Sequence, residues 1–247
     1  MERRDSQSVA TFFWGDAVAT GAEVTLADDA LRHAIVRRLA PGDAVRVVSG
    51  RGAVATGHVV SGSRTRVVVG IDRISELPRP TALDVLVPIA DRDHMLWAAE
   101  KCVEHQATSW RPVWYARSRS VASRGEGAKF ADKVMARMRS ALEQCGGAWM
   151  PDVHPEAEMA AAMDAIASTH ERVMLAGDGA PMAALALTGA VAIAVGPEGG
   201  FEPEEVERAQ ATGWRLASLG TSVLRFETAM ISAAAVIRAA QLAHRSP

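Results

Sequence analysis

Apolar positions along the chain fall into two regimes. Up to residue 75 they come as short β-branched runs: Val24-Thr-Leu, Ala44-Val-Arg-Val-Val, Ala53 to Val60 and Arg66 to Ile71. Turn-forming segments separate them, Pro41-Gly-Asp, Ser49-Gly-Arg-Gly and Ser61-Gly-Ser. This is the pattern of strands joined by tight turns. One segment breaks the rhythm. Leu31, Ile35 and Leu39 recur at helical spacing and predict a helix over Asp28–Leu39. Residues 1–76 thus read as a small β-barrel carrying one helix.

Leu77-Pro-Arg-Pro reads as a linker, because proline fixes its own φ and ends regular structure. From Ala82 the runs become longer and continuously apolar. Strands are predicted at Leu83–Val87, Pro112–Ala116, Val173–Gly177, Val191–Gly196 and Leu216–Gly220. Helices are predicted at Asp91–Gln106, Lys129–Cys145, Glu204–Thr212 and Glu227–His244. Apolar strands alternating with helices predict an α/β domain over residues 81–247, its parallel sheet covered on both faces.

Composition changes this picture little. The 247 residues are 49% hydrophobic and 23% charged, with a net charge of −2, so the chain is no polycation. Charge is uneven, however. Residues 111–139 hold eight basic side chains, Arg117, Arg119, Arg124 and Lys129 among them, against Glu126 and Asp132 alone. Such a run reads equally as a solvated surface or as a phosphate-contacting patch. Two cysteines do not make a disulfide scaffold. The seven histidines show no ligand spacing, so no metal is expected. Neither a signal-like nor a membrane-spanning run is evident, which makes the cytoplasm the expected compartment.

Candidate chemistry sits where the last three long strands end. Ligands of open α/β sheets bind beyond the carboxyl ends of strands. Here those ends are Leu175-Ala-Gly-Asp-Gly, Gly196-Pro-Glu-Gly-Gly-Phe and Leu219-Gly-Thr-Ser-Val-Leu-Arg-Phe-Glu-Thr-Ala. The middle loop lacks the Lys-Ser/Thr of a P-loop and the spacing of a dinucleotide fingerprint. It carries Glu198 instead, and an acid suits hydroxyls or a cation better than phosphate. Arg225 offers a rigid fork of donors. Glu227 and Thr228 stand where a helix begins, so capping explains them equally well.

The string Gly196-Pro-Glu-Gly-Gly-Phe, then Pro203-Glu-Glu, Leu219-Gly and Val223-Leu-Arg-Phe-Glu-Thr-Ala, resembles the carboxyl-terminal signature of the RsmE family. These are 16S rRNA (uracil-N3)-methyltransferases of the SPOUT class. Weaker similarity runs through His33-Ala-Ile-Val-Arg-Arg-Leu-Ala-Pro-Gly-Asp, Glu100-Lys-Cys-Val-Glu and Leu142-Glu-Gln-Cys-Gly. The family's basic pair after its first carboxyl-domain strand is replaced here by Pro88-Ile-Ala.

The resemblance implies a PUA-like barrel for RNA, a SPOUT domain with a trefoil knot, and a homodimer acting on 16S rRNA or the 30S subunit. It implies S-adenosyl-L-methionine as methyl donor. The donor would be held by Leu175, Ala176, Gly177, Gly196, Pro197, Glu198, Gly199, Gly200, Leu219, Gly220, Val223, Leu224, Thr228 and Ala229. Arg225 and Glu227 become the catalytic candidates. His33, Arg37 and Arg38 on the first helix, with Arg117, Arg119, Arg124 and Lys129, become RNA contacts. Other readings stay open: a knotted methyltransferase with another RNA target, a non-catalytic RNA-binding assembly factor, and a nucleotide-dependent metabolic enzyme.

Overall fold

The computed structural model describes residues 9–120 and 124–244, without the side chains of Arg119 and Ser120. The described residues form two compact units. One runs to Arg79 and includes Leu142–Trp149; the other comprises Pro80–Ala141 and the chain from Met150 onward.

The first unit contains β1 (Ala10–Phe13), β2 (Glu23–Leu26), α1 (Asp28–Val36), β3 (Ala44–Val48), β4 (Ala53–Gly62) and β5 (Val67–Glu76). They form one sheet in the order β1-β3-β4-β5-β2. Only the β1–β3 pair is parallel. The sheet curls because the β4–β5 ladder shifts register at Thr56/Gly57 and again at Val59/Ser61. Gly57 permits the first shift: a Cβ there would lie 2.0 Å from the Gly70 carbonyl oxygen. Inward residues, among them Phe12, Leu26, Val45, Val47 and Val69, make the core beneath the curl.

Sequence periodicity extends α1 too far. The helix stops at Val36, Arg37 is its C-cap, and Arg38 turns into left-handed backbone at φ 55°. Arg37 and Arg38, expected on the helix, therefore lie at and beyond its end. Strand β1, at four residues, is too short to announce itself by alternation.

The second unit contains β6 (Leu83–Pro88), α2 (Arg92–Glu104), β7 (Ser109–Trp114), α3 (Ala128–Cys145), β8 (Asp152–Val153), β9 (Ala157–Glu158), α4 (Met159–Asp164), β10 (Glu171–Pro181), β11 (Val191–Ala194), α5 (Pro203–Ala211), β12 (Arg215–Ser218) and α6 (Phe226–His244). The last turn of α3 belongs to the first unit. The sheet order is β12-β10-β11-β6-β7-β8, with β9 beside β7, and every pairing is parallel. This is the expected α/β architecture. All four residues of β11 are buried, as strands covered on both faces require.

Strand β7 starts three residues before the expected Pro112, so that Trp110 pairs with Val85. Pro112, which cannot donate to a ladder, is tolerated because β8 pairs with Ser109 and Trp110 while β9 pairs with Val113 and Trp114. The proline faces the break between them.

Candidate functional site

The carboxyl ends of β10, β11 and β12 surround a cavity of about 750 Å³. Each strand delivers a loop to it. Strand β10 pairs with β12 up to Leu175↔Ala217 and resumes at Ala180↔Ala217, so Ala176–Gly179 are looped out of the ladder. Gly179 lets the chain rejoin, since a Cβ there would lie 2.4 Å from the Ala217 nitrogen.

The cavity is lined by Leu175, Ala176, Gly177, Gly196, Pro197, Glu198, Gly199, Gly200, Leu219, Gly220, Val223, Leu224 and Ala229. These are the positions named from sequence, with one exception. Thr228 is exposed on the first turn of α6 and does not line the cavity, because that turn directs Ala229 inward instead. Val223 reaches the cavity only at its rim, being 98% exposed. Further lining comes from Asp178, Val195, Phe201, Pro203, Val206, Glu207, Ala217, Ser218, Thr221, Ser222 and Phe226. Phe201 and Phe226 had a legible signal, since both stand inside the quoted motif strings, although neither was singled out as a cofactor contact.

The ionisable lining side chains are Asp178, Glu198 and Glu207, all acidic. A pocket walled by apolar rings, open backbone and carboxylates favours a flat ring, hydroxyls and a cationic centre. It disfavours a polyphosphate.

The glycine loop is held from outside the cavity. Arg117, in a 3-10 turn at Ala116–Ser120, donates Nε and Nη2 to Glu202 Oε1 and Oε2 at 2.9 and 3.1 Å. Its Nη1 donates to the Gly199 carbonyl oxygen. The hydrogen bond to Glu202 raises the guanidinium pKa further above its ordinary value. Glu205 adds a second tie, accepting from the backbone nitrogens of Ala116 and Glu202, both at 2.9 Å. Arg117 was expected to contact RNA; the structure turns its fork onto the cavity loop.

Beside the cavity lies a cluster of polar side chains. Arg225 is exposed between the lining residues Leu224 and Phe226, and its Nη1 is 3.3 Å from His94 Nε2. His94 Nδ1 is 3.8 Å from Glu227 Oε1 and 4.0 Å from Asp91 Oδ1. Asp91 caps α2, accepting from the Asp93 and His94 backbone nitrogens. Glu227 is 5% exposed, and its Oε2 has no hydrogen-bond partner among the described residues. Sequence reasoning missed His94: nothing local marks it, and 131 residues separate it from Arg225.

The remaining basic positions are dispersed. Arg124 lies 5.4 Å over the Trp114 ring and pairs with Glu126 at 3.5 Å. Lys129 is exposed on α3. The side chain of Arg119 lies outside the described residues. In the first unit, Arg37 Nε donates to His33 Nε2 at 3.1 Å, and His33 Nδ1 is 3.5 Å from Glu143 Oε2. Arg38 is exposed. Among the described residues no cluster of three His, Cys, Asp or Glu side chains could hold a metal, and no helix is long and apolar enough to cross a membrane.

Comparison with known proteins agrees with this geometry. Over residues 77–238 the chain matches the family described as RNA methyltransferase domain. It is 26% identical over 213 residues to ribosomal RNA small subunit methyltransferase E of Synechocystis sp., covering 83% of this chain and 68% of that one. A crystal structure of the corresponding enzyme from Neisseria gonorrhoeae, bound to S-adenosyl methionine, superposes with a TM-score of 0.85 at 25% identity, covering 94% of this chain and 97% of that one. A putative methyltransferase from Legionella pneumophila, also bound to that cofactor, shares the fold with a TM-score of 0.82 at 23% identity, covering 94% and 98%. The family match extends over well more than half of the sequence and contains all three cavity loops, so this chain belongs to the RNA methyltransferase domain family.

Proposed function

We propose that this protein transfers a methyl group from S-adenosyl-L-methionine to N3 of a uridine in 16S ribosomal RNA. The observation that carries the reading is the cavity: about 750 Å³, built by three glycine-bearing loops, with carboxylates as its ionisable lining. Its size is ordinary for a small-molecule site. Apolar Leu219, Leu224 and Phe226 suit an adenine ring, and Glu198, Asp178 and Glu207 suit ribose hydroxyls and positive charge. The relatives named for small-subunit ribosomal RNA methylation supply the substrate class.

When bound, the donor supplies an already activated methyl group, so positioning accounts for much of the rate. The protein must favour loss of the uracil N3 proton. Arg225, exposed beside the cavity, can stabilise negative charge developing on the uracil oxygens. Glu227, buried nearby, orients that arginine or accepts the proton. The base must be unstacked to reach them.

The same reading makes the curled first unit a PUA-like RNA-binding barrel, with His33, Arg37 and Arg38 among its contacts. It makes Arg124, Lys129 and the 111–139 run a phosphate track, and Arg119 shares that role. It gives the second unit a trefoil knot and makes the molecule a cytoplasmic homodimer acting on 16S rRNA or the 30S subunit.

Gly177→Phe tests the reading without threatening the fold. Gly177 lines the cavity, and a Cβ there would meet nothing within 4 Å. Calorimetry should show saturable S-adenosylmethionine binding by the wild type and at least about tenfold weaker binding by the variant. Mapping of 16S rRNA from a deletion strain should then reveal a uridine lacking its N3 methyl. A folded wild type that does not bind the donor would leave the RNA-binding assembly role.

A further inference from the structure

His94 has no place in the reading so far, yet it is the side chain through which the two catalytic candidates meet. The geometry points to His94 as a positioning residue for methyl transfer: a neutral imidazole that links buried Glu227 to exposed Arg225 and holds the guanidinium in its working orientation. This inference rests on the methyltransferase reading.

Its two ring nitrogens face opposite partners. Nε2 lies 3.3 Å from Arg225 Nη1, and a guanidinium can only donate. Nε2 must therefore carry the lone pair, and the neutral ring is protonated on Nδ1. That proton faces Glu227 Oε1 at 3.8 Å and Asp91 Oδ1 at 4.0 Å, close enough for attraction but too long for a hydrogen bond. The ring itself is anchored by the capped first turn of α2 and by the Phe226 ring, whose centroid is 6.5 Å away. Arg225 would otherwise be a long exposed side chain with many rotamers, and ordering it before substrate arrives reduces what substrate binding must fix.

The arrangement also makes a pH gate. Protonating His94 removes the Nε2 lone pair and sets two cations 3.3 Å apart, so Arg225 swings away. Histidine ordinarily changes charge between about pH 5 and 8. The charged groups that face its ring are Glu227 and Arg225 from α6 and its approach and Asp91 at the cap of α2; Arg92 and Arg124 are turned onto the Phe130 and Trp114 rings instead. Active protein thus requires the Nε2 lone pair, and activity is lower on the acid side, where that lone pair is taken up by a proton.

Three measurements on the full chain test this: methyl transfer to 16S rRNA across pH, donor affinity by calorimetry, and the His94 tautomer from imidazole ¹⁵N shifts. His94→Leu should lower kcat roughly 10- to 100-fold with donor affinity changed less than about threefold. His94→Gln offers both an acceptor for Arg225 and a donor towards Glu227, so it should restore most of the neutral-pH kcat while abolishing the acid limb. A His94→Leu variant as active as wild type overturns the inference, as does a His94→Gln variant that keeps the acid limb. An Nε2-protonated ring in the wild type also overturns it. Should the wild type transfer no methyl to rRNA while its His94 shows the Nδ1–H tautomer, the functional reading fails and the Arg225 link stands.

Discussion

Each unit of the molecule builds the same trio from the same residue types. In the first, Arg37 donates to His33 Nε2 and His33 Nδ1 faces Glu143; in the second, Arg225 lies against His94 Nε2 and His94 Nδ1 faces Glu227. Each imidazole even has an aromatic neighbour, Phe12 at 5.4 Å and Phe226 at 6.5 Å. The difference lies in the carboxylates. Glu143 Oε1 accepts from the Phe13 backbone nitrogen at 2.8 Å, and its Oε2 lies 3.5 Å from His33. Glu227 is more deeply buried, Oε2 has no partner among the described residues, and Oε1 is only loosely matched. A carboxylate with its oxygens engaged stabilises a fold. One buried without them costs free energy, and that cost is a signature of sites organised for something else.

Neutral isosteres at both carboxylates should pull the two trios apart most strongly. Glu227→Gln is expected to lower methyl transfer roughly 100-fold, at the low end for proton-transfer groups, with no loss of thermal stability. Glu143→Gln should do the reverse: kcat within about threefold of wild type, with stability lower by about 1 kcal/mol because a charge-assisted bond to Phe13 is weakened. Steady-state kinetics and thermal unfolding of the two variants suffice. Equal effects on kcat would erase the distinction between the trios.

That distinction was illegible in the sequence, although much around it was not. The cavity loops could be read because a continuously apolar strand closing in glycine is a local pattern that marks a strand-to-loop exit: Leu175–Gly177, Gly196–Gly200 and Leu219–Leu224 all reached the cavity. Both His–Arg pairs are joined by tertiary or cap geometry. The spacing of His33 and Arg37 was visible because they are four residues apart, but Glu143 is 110 positions from His33 and His94 is 131 from Arg225. The loop contacts of Arg117 were illegible for the same reason. Within a run of basic residues it looks like surface charge, yet its partners Gly199 and Glu202 lie more than 80 positions on. Strands β8 and β9, two residues each, are below any periodic signal.

Arg117 supplies the next contrast, an arginine fully paired with a carboxylate inside the second unit. Arg117→Ala should weaken donor affinity about three- to tenfold by loosening the loop at Gly199 and Glu202. Arg37→Ala, from the first trio, should leave donor affinity intact. It should weaken RNA binding a few-fold and lower the slope of log affinity against log salt by about one, as for one lost phosphate contact. Calorimetry and RNA binding at several salt concentrations separate the two; an unchanged salt slope would remove Arg37 from the RNA surface.

The smallest expected effect guards the comparison against a trivial explanation. An acid limb in activity arises equally if the second unit simply unfolds at low pH. Two other histidines there, His105 and His154, are held below the ordinary imidazole value, chiefly by burial. Such a ring takes up its proton less readily folded than unfolded. It costs nothing above the unfolded-state value, and stability declines as pH falls below that value. Glu100 adds a loss at lower pH still. Its carboxyl is held below its ordinary value, first by a hydrogen bond from Lys101, so that contribution disappears as pH falls through the folded-state value. The melting temperature should therefore fall gently through the histidine range and faster in the carboxylate range, and His94→Gln should track the wild-type curve. If the kcat limb vanishes in that variant while the melting curve does not move, the limb belongs to His94. If both move together, the second trio is structural like the first.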